Sequence, residues 1–184
     1  MPNNNQQKVK ILVGGAPNAG KTRFIQTAVH GEKWLTDDEW QGRKQQVCQD
    51  AIRMDAHLGE ITISDDLTIH LVNLPPQSDP LHLQKWELAS QGSLGHILIV
   101  DSTQPEKFAN AIYVLETLQQ YATLPYVVVA NKQDAFGAVD LGQIREGLKL
   151  DASVWLLPCV AIKKDSVTAV LTAALMAIAD TPHS

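Results

Sequence analysis

The chain has 184 residues, 45% of them hydrophobic and 19% charged, which fits one soluble domain large enough to have its own core. Its formal net charge is −5 and it has no basic tract, so nucleic acid is not expected as a partner. No apolar run reaches membrane-spanning length and no lipidation signal is present, so we expect a cytoplasmic protein without a direct membrane anchor.

The N-terminal half predicts a strand, a helix and a hairpin. Residues 8–14 ("KVKILVG") indicate a short buried strand, and residues 21–30 indicate a helix. Residues 31–57 are polar and lack a clean period, and an irregular segment of that length in a compact domain is usually functional. In "GEITISDDLTIHLVNL", residues 59–74, two alternating apolar runs flank a turn at 64–66, which predicts an antiparallel hairpin.

The C-terminal half predicts helices that alternate with buried strands. The predicted strands cover 96–101, 126–130 and 154–160, and the predicted helices cover 81–91, 105–121, 140–148 and 165–179. Together with the N-terminal half, this order predicts an α/β fold. We expect a six-stranded, mostly parallel sheet with one antiparallel edge strand and helices on both faces.

A phosphate-binding motif lies between the first strand and the first helix. The stretch "GAPNAGKT" satisfies G-x-x-x-x-G-K-[ST], and its position after a strand and before a helix is the context that the motif requires. Glycines let the backbone curl so that consecutive N–H groups face a phosphate, and the helix N-terminus adds partial positive charge. Lys21 is expected to reach the terminal phosphates and the Thr22 hydroxyl to bind Mg²⁺. The candidate phosphate-binding residues are Gly15, Pro17, Asn18, Ala19, Gly20, Lys21 and Thr22.

A second motif, "NKQD", follows the strand "YVVVA" and matches the guanine-recognition pattern [NT]-K-x-D. The Asp134 carboxylate can accept two hydrogen bonds, from the ring N–H and the exocyclic amine of guanine, whereas adenine has no such pair of donors. Asn131 is expected to tie the segment to the phosphate loop or to the base, and the stem of Lys132 to cover the base. Ala161, after the last strand, is expected to offer its N–H to the guanine oxygen.

With these two motifs, the chain resembles the Ras-like small GTPases over nearly its whole length. It is most similar to the prokaryotic Mgl-type (gliding-motility) branch, on "GAPNAGKT", "LGEITISDDLTIHL", "GSLGHILIVD" and "PCVAIKKDSV". The resemblance implies one P-loop NTPase domain of the Ras-like type over residues 1–184, with a flexible N-terminus at 1–7. It also implies GTP or GDP as ligand, Mg²⁺ as cofactor, and a protein partner such as a roadblock-domain protein.

Several positions depart from the resembled family where the γ-phosphate and Mg²⁺ would lie. Asn73 stands where the family has an Asp that holds Mg²⁺ through a water, so the charge is missing. Pro76 stands where a Gly donates its N–H to the γ-phosphate, and proline has no N–H. Between Thr36 and Thr62 there is no Thr or Ser to supply the expected first-switch ligand. Gln77 occupies the position of the water-orienting catalytic glutamine, but Pro76 before it argues against that role.

These departures leave three functional hypotheses. The first is a guanine-nucleotide-binding module that works through protein partners, with weak or absent hydrolysis and poor discrimination between GTP and GDP. The second is an active GTPase switch whose catalysis a partner protein completes. The third is an ATP-dependent P-loop enzyme, against which the "NKQD" motif argues.

The tryptophans near the switch segments have two interpretations. Trp34 and Trp40 lie in the irregular segment 31–57, where the resembled family has its first switch region. Trp86 lies on the helix that follows residues 73–77, where the family has its second switch region. They form either an exposed aromatic patch for a partner or part of the core.

Overall fold

Strands and helices alternate along the computed structural model, which describes residues 7–29 and 58–181. The strands are β1 (Gln7–Gly14), β2 (Leu58–Ser64), β3 (Leu67–Asn73), β4 (Gly95–Asp101), β5 (Tyr126–Asn131) and β6 (Leu156–Pro158). The helices are α1 (Lys21–Ala28), α2 (His82–Ser90), α3 (Phe108–Tyr121), α4 (Leu141–Gly147) and α5 (Lys164–Ala179), with a 3₁₀ turn at Pro105–Lys107 before α3.

The strands form one sheet in the order β2-β3-β1-β4-β5-β6. Among the strands of the described residues, only β2 and β3 pair antiparallel and the other neighbours pair parallel, so the predicted fold class is confirmed. In a parallel sheet the carboxyl ends of the strands meet at one edge, where ligands of α/β proteins bind. The loops after β1, β3, β4 and β5 therefore gather at one end of the molecule.

The two faces of the sheet carry separate halves of the core. In β5, Val127 and Val129 join the cluster that contains α1 and α5, whereas Val128 and Ala130 join the cluster that contains α2, α3 and α4. The alternation follows from the period of two along a strand. The continuous apolar runs of β1, β4 and β5 in the sequence are thus explained by helices on both sides.

Two details differ from the sequence-based expectations, and a third expectation is not tested. Gln7, assigned to the flexible N-terminus, is the first residue of β1 and pairs with Leu67 on β3. The last strand, predicted over 154–160, covers only Leu156–Pro158 at the sheet edge, although the Trp155 carbonyl and the Cys159 N–H that flank it each form a 2.8 Å hydrogen bond with β5. Residues 31–57, including Trp34 and Trp40, lie outside the described residues.

Trp86 belongs to the core and is not part of an exposed patch. Its side chain is 1% exposed and packs in the cluster formed with α3 and α4. Its indole N–H donates to the carbonyl of Pro75 at 3.0 Å, so the polar atom of the ring is satisfied. This contact ties α2 to the segment that follows β3.

A histidine is buried near the start of β4. His96 is 3% exposed, and its ring packs edge-on against Tyr126 with the centroids 5.6 Å apart. The amide nitrogen of Gln119 lies 3.2 Å from Nε2 of His96 and also donates to the carbonyl of Leu124. Burial lowers the pKa of His96 to about 4, because a charged imidazolium loses its hydration there.

Because the unfolded chain gives this histidine a pKa near 6.5, His96 should make folding dependent on pH. The neutral imidazole contributes its full stability above about pH 6.5, and that contribution is lost as the pH falls toward 4. The cost is about 3 kcal/mol at pH 4, from 1.36 kcal/mol per pKa unit. We expect His96→Gln to remove this component. Urea unfolding of both proteins at pH 7 and pH 4 would measure it, and an unchanged difference between the two proteins would contradict the assignment.

Candidate functional site

The loop between β1 and α1 is strongly curled against the ends of two other strands. Gly15 has φ 143°, Asn18 has φ 64° and Gly20 has φ 106°, all in the region that L side chains rarely adopt. A Cβ atom on Gly15 would lie 2.1 Å from the carbonyl oxygen of Ile99, and one on Gly20 would lie 2.2 Å from Nδ2 of Asn131. Both glycines are therefore required by the close approach of β4 and β5 to this loop.

Lys21 begins α1 and folds back over the same loop. Its ammonium donates to the carbonyls of Gly15 and Ala16, each at 2.9 Å. Burial lowers its pKa to about 8, because the nearest partners are neutral carbonyls and not a negative charge. An anion at this loop would therefore both neutralise the ammonium and satisfy its donors.

Asn131, at the end of β5, links three segments through one buried amide. Its Nδ2 donates to the carbonyl of Ala19 at 2.8 Å, and its Oδ1 accepts the N–H of Ala161 at 3.0 Å. The side chain is 3% exposed. The expected tie between the "NKQD" segment and the phosphate loop is thus present. The N–H of Ala161, which the sequence assigned to guanine, is hydrogen-bonded to Asn131, and its role toward a base stays a prediction.

Lys132 is held by a carboxylate at the end of β4 that the sequence argument missed. Its ammonium pairs with Oδ2 of Asp101 and donates to the carbonyl of Asn18 at 3.2 Å. Asp101 also accepts from the N–H and hydroxyl of Thr103. Burial favours a higher pKa for Asp101, but the hydrogen bonds from Lys132 and Thr103 outweigh it and hold its pKa below the usual value. The sequence signal that could have revealed this contact is the acidic residue at the end of β4, the strand that pairs with β5.

The loop that carries Asp134 is braced by its neighbour. The Gln133 amide donates to the Ser102 hydroxyl at 2.7 Å and to the carbonyl of Val139 at 3.0 Å, while Asp134 itself is exposed. An exposed carboxylate on a fixed backbone can accept hydrogen bonds from a planar base without prior rearrangement. The structure places Asn131, Lys132, Asp134 and Ala161 at the same end of the sheet as the phosphate loop.

The end of β3 meets the start of α1 at Asn73 and Thr22. Nδ2 of Asn73 lies 3.4 Å from the Thr22 hydroxyl, and Oδ1 of Asn73 is buried without a hydrogen-bond partner among residues 7–29 and 58–181. An orphaned amide oxygen beside a hydroxyl is a neutral oxygen pair that suits a hydrated Mg²⁺. The residues present therefore fit a magnesium ion, with less charge than a carboxylate would supply.

Residues 74–81 connect β3 to α2, and we call them the proline segment. Its backbone is tied at Pro75 by the indole of Trp86, and at Pro76, whose carbonyl accepts the N–H of Asp79 at 3.0 Å. The Gln77 amide donates to the carbonyl of Asn110 on α3 at 3.3 Å. Gln77 therefore faces α3 in this structure, whereas a catalytic glutamine would face the phosphates.

A cavity of about 460 Å³ lies between the phosphate loop, the proline segment and α2. Its lining residues are Pro17, Asn18, Lys21, Thr22, Asn73, Leu74, Pro75, Pro76, Asp79 and Lys85. A larger groove of about 730 Å³ lies between the ends of α3 and α5, and the phosphate-loop residues do not line it. We place the functional site at the smaller cavity, because the phosphate-binding chemistry is there.

The described part of the chain lacks two other kinds of feature. Residues 7–29 and 58–181 contain no cluster of three or more His, Cys, Asp or Glu side chains that could hold a metal. Within the same ranges, no helix is both long and apolar enough to cross a membrane.

One protein-family comparison bears on this geometry. The model of the ADP-ribosylation factor family matches residues 83–177, just over half of the chain. The matched region runs from α2 into α5 and contains Asn131, Lys132, Asp134 and Ala161, whereas the phosphate loop and Asn73 lie before it. The chain therefore belongs to the ADP-ribosylation factor family, within the Ras-like superfamily of GTP-binding small GTPases.

Proposed function

We propose that this protein binds guanine nucleotide and acts as a signalling or scaffolding module through protein partners, with weak or absent hydrolysis of GTP. The observation that carries the proposal is the proline segment at the phosphate cavity. Pro76 lines that cavity without an N–H to donate, and the Gln77 amide is directed to Asn110 on α3. Loss of several transition-state contacts together reduces a rate by orders of magnitude.

We assign the residues of the phosphate loop as follows. Backbone N–H groups of the loop between Gly15 and Thr22 hold the phosphates, and Lys21 pairs with the terminal ones. The Thr22 hydroxyl binds Mg²⁺, and Asn73 holds it weakly through a water. Bound Mg²⁺ would neutralise charge on the phosphate oxygens. Because Asn73 is neutral, Mg²⁺ contributes less to nucleotide affinity than it would beside a carboxylate.

We assign the base to the loops after β5 and β6. Asp134 accepts hydrogen bonds from the guanine ring N–H and exocyclic amine. The Lys132 stem covers the base, and Asn131 with Ala161 holds the two loops together. The Asn131 amide donates to the Ala19 carbonyl and accepts the Ala161 N–H, and these hydrogen bonds support the arrangement because they hold the loops after β5 and β6 against the phosphate loop.

The finer placement of the chain is also a proposal. We infer one domain over residues 1–184 in the cytoplasm, a relationship to the Mgl-type branch, and a roadblock-domain protein as partner. The four sequence segments similar to that branch support the inference.

The alternative function is an active GTPase switch completed by a partner. The hydrogen bond from Gln77 to Asn110 is compatible with this alternative, because the bond is exposed to solvent. A partner bound over α2 and α3 could break the bond and release Gln77.

The rate of GTP hydrolysis in a single turnover tests the proposed function most directly. Purified protein should contain GDP or GTP on extraction, and single-turnover hydrolysis should be at least tenfold slower than the roughly 4 × 10⁻⁴ s⁻¹ of unaided Ras. Gln77→Leu should change the rate by less than about twofold, since Gln77 contacts α3. A rate equal to that of Ras would contradict weak hydrolysis. A large increase on adding a roadblock-domain protein would support the alternative.

Base specificity tests the role of Asp134. Asp134→Asn replaces an acceptor with a donor, so guanine nucleotide affinity should fall about 100-fold or more, from two charge-assisted hydrogen bonds. Affinity for xanthine nucleotides should rise, because xanthine carries a carbonyl where guanine carries its amine. Calorimetric titration with GDP and XDP would measure both. Asp65→Asn, the same change in the exposed β2–β3 turn, should alter neither affinity.

The neutral amide of Asn73 leads to a prediction about how strongly Mg²⁺ enhances the affinity for GDP. Asn73→Asp should increase the enhancement of GDP affinity by Mg²⁺ roughly tenfold or more, because a carboxylate attracts the ion. Without Mg²⁺ the variant should be less stable than the wild type, since the added charge is partly buried. Titration with GDP in Mg²⁺ and in EDTA would measure the first effect, and thermal unfolding the second. Asn110→Asp on α3, which does not line the cavity, is the matched control, and an equal response in both variants would contradict the assignment.

A further inference from the structure

Two charged side chains from outside the sequence motifs line the phosphate cavity. Asp79 comes from the proline segment and Lys85 from α2, and both line the cavity that also contains Lys21, Thr22 and Asn73. The Lys85 ammonium lies 2.5 Å from Oδ2 of Asp79. The Lys85 side chain is 12% exposed and that of Asp79 is 21% exposed, so neighbouring groups cover most of both side chains at the cavity wall.

The backbone on both sides fixes the position of this pair. Oδ1 of Asp79 accepts the N–H of Leu81 at 2.8 Å, and the Asp79 carbonyl accepts the N–H of His82 at 3.0 Å. Lys85 is followed by Trp86, whose buried indole is bonded to Pro75. The ammonium is thus held at a defined point on the α2 side of the cavity, across from the phosphate loop.

Lys85 carries the chemistry that Pro76 lacks. An ammonium has three N–H donors, so pairing with one carboxylate oxygen leaves capacity to donate to phosphate oxygens. Lys21, on the loop itself, is assigned to the terminal phosphates, which include the β-phosphate that diphosphates and triphosphates share. A second cation on the α2 side would be available to the additional phosphate of a triphosphate. The sequence predicted poor discrimination between GTP and GDP from several departures, Pro76 among them, and a side-chain donor at the same cavity changes that expectation.

We propose that Lys85 is the residue by which this protein distinguishes a nucleoside triphosphate from a diphosphate, and that Asp79 weakens the preference by sharing the charge of Lys85. The inference rests on the proposed guanine-nucleotide binding. It predicts that Lys85 and Asp79 have opposite effects on the affinity for the triphosphate. Removing Lys85 removes an attraction for the third phosphate, whereas removing the charge of Asp79 removes a repulsion and releases Lys85.

The test measures affinities for GDP and for a non-hydrolysable GTP analogue, each in Mg²⁺ and in EDTA, by calorimetric titration. Lys85→Met should weaken binding of the triphosphate about 10-fold to 100-fold and change GDP binding by less than about threefold. Lys85→Arg should keep the wild-type ratio of the two affinities. Asp79→Asn should shift that ratio severalfold toward the triphosphate. Lys149→Met, at an exposed position just after α4 that does not line the cavity, is the matched control and should leave the ratio unchanged.

Each result has one meaning. Equal ratios in wild type and Lys85→Met would overturn the inference while leaving the proposed function intact. A wild type that binds neither nucleotide would overturn both. If Lys85→Met fails to fold, Asp79→Asn decides, since an ion pair that only stabilised the fold would not shift the ratio toward the triphosphate. A loss of Mg²⁺-dependent binding in Asp79→Asn would make Asp79 a metal ligand and would also overturn the inference.

Discussion

The buried amide of Asn131 is the interaction on which the candidate site depends. One side chain satisfies the carbonyl of Ala19 and the N–H of Ala161, so the loops after β1, β5 and β6 have a fixed relative position. Both bonded groups would be left unpaired by an apolar replacement, at the cost of burying two polar groups. The same contact explains Gly20, because any Cβ there would collide with the Asn131 amide. Gly20 and Asn131 are distant in sequence, but the contact between them requires both residues.

Around this fixed point, the two halves of the site differ in character. On the base side, Lys132, Gln133 and Asp101 form charge-assisted and neutral hydrogen bonds that brace the backbone. On the phosphate side, the expected charges and backbone donors are replaced by a neutral amide at Asn73 and by Pro76. The end that we assign to the base is therefore well braced, whereas the end that we assign to the phosphates departs from the resembled family. This division is the physical basis for the proposal that the protein binds nucleotide with weak hydrolysis.

Much of the fold could be predicted from the sequence, because strand alternation and loop motifs are local signals. The apolar runs of β1, β4 and β5 and the "GAPNAGKT" loop required only periodicity and spacing. The interpretation of Trp86 remained open, because burial of an aromatic ring on a short helix depends on how that helix packs. The first-switch expectation, including the absence of Thr and Ser between Thr36 and Thr62, falls on residues outside those described.

The contacts that alter the functional argument could not be predicted in the same way. The Asp101–Lys132 pair joins residues 31 positions apart, and the Gln77–Asn110 contact joins a loop to a separate helix. Each depends on the register of two elements, which no short pattern encodes. The Asp79–Lys85 pair is nearer in sequence, but its meaning comes from the cavity that it lines.

The hydrogen bond between the Trp86 indole and the Pro75 carbonyl has a mechanical consequence. It joins the two ends of the chain from residue 75 to residue 86, and the indole that joins them is buried. Moving the proline segment away from α2 would leave the indole N–H buried without a partner unless Trp86 moved with it. One wall of the cavity is therefore coupled to the core through a single tryptophan.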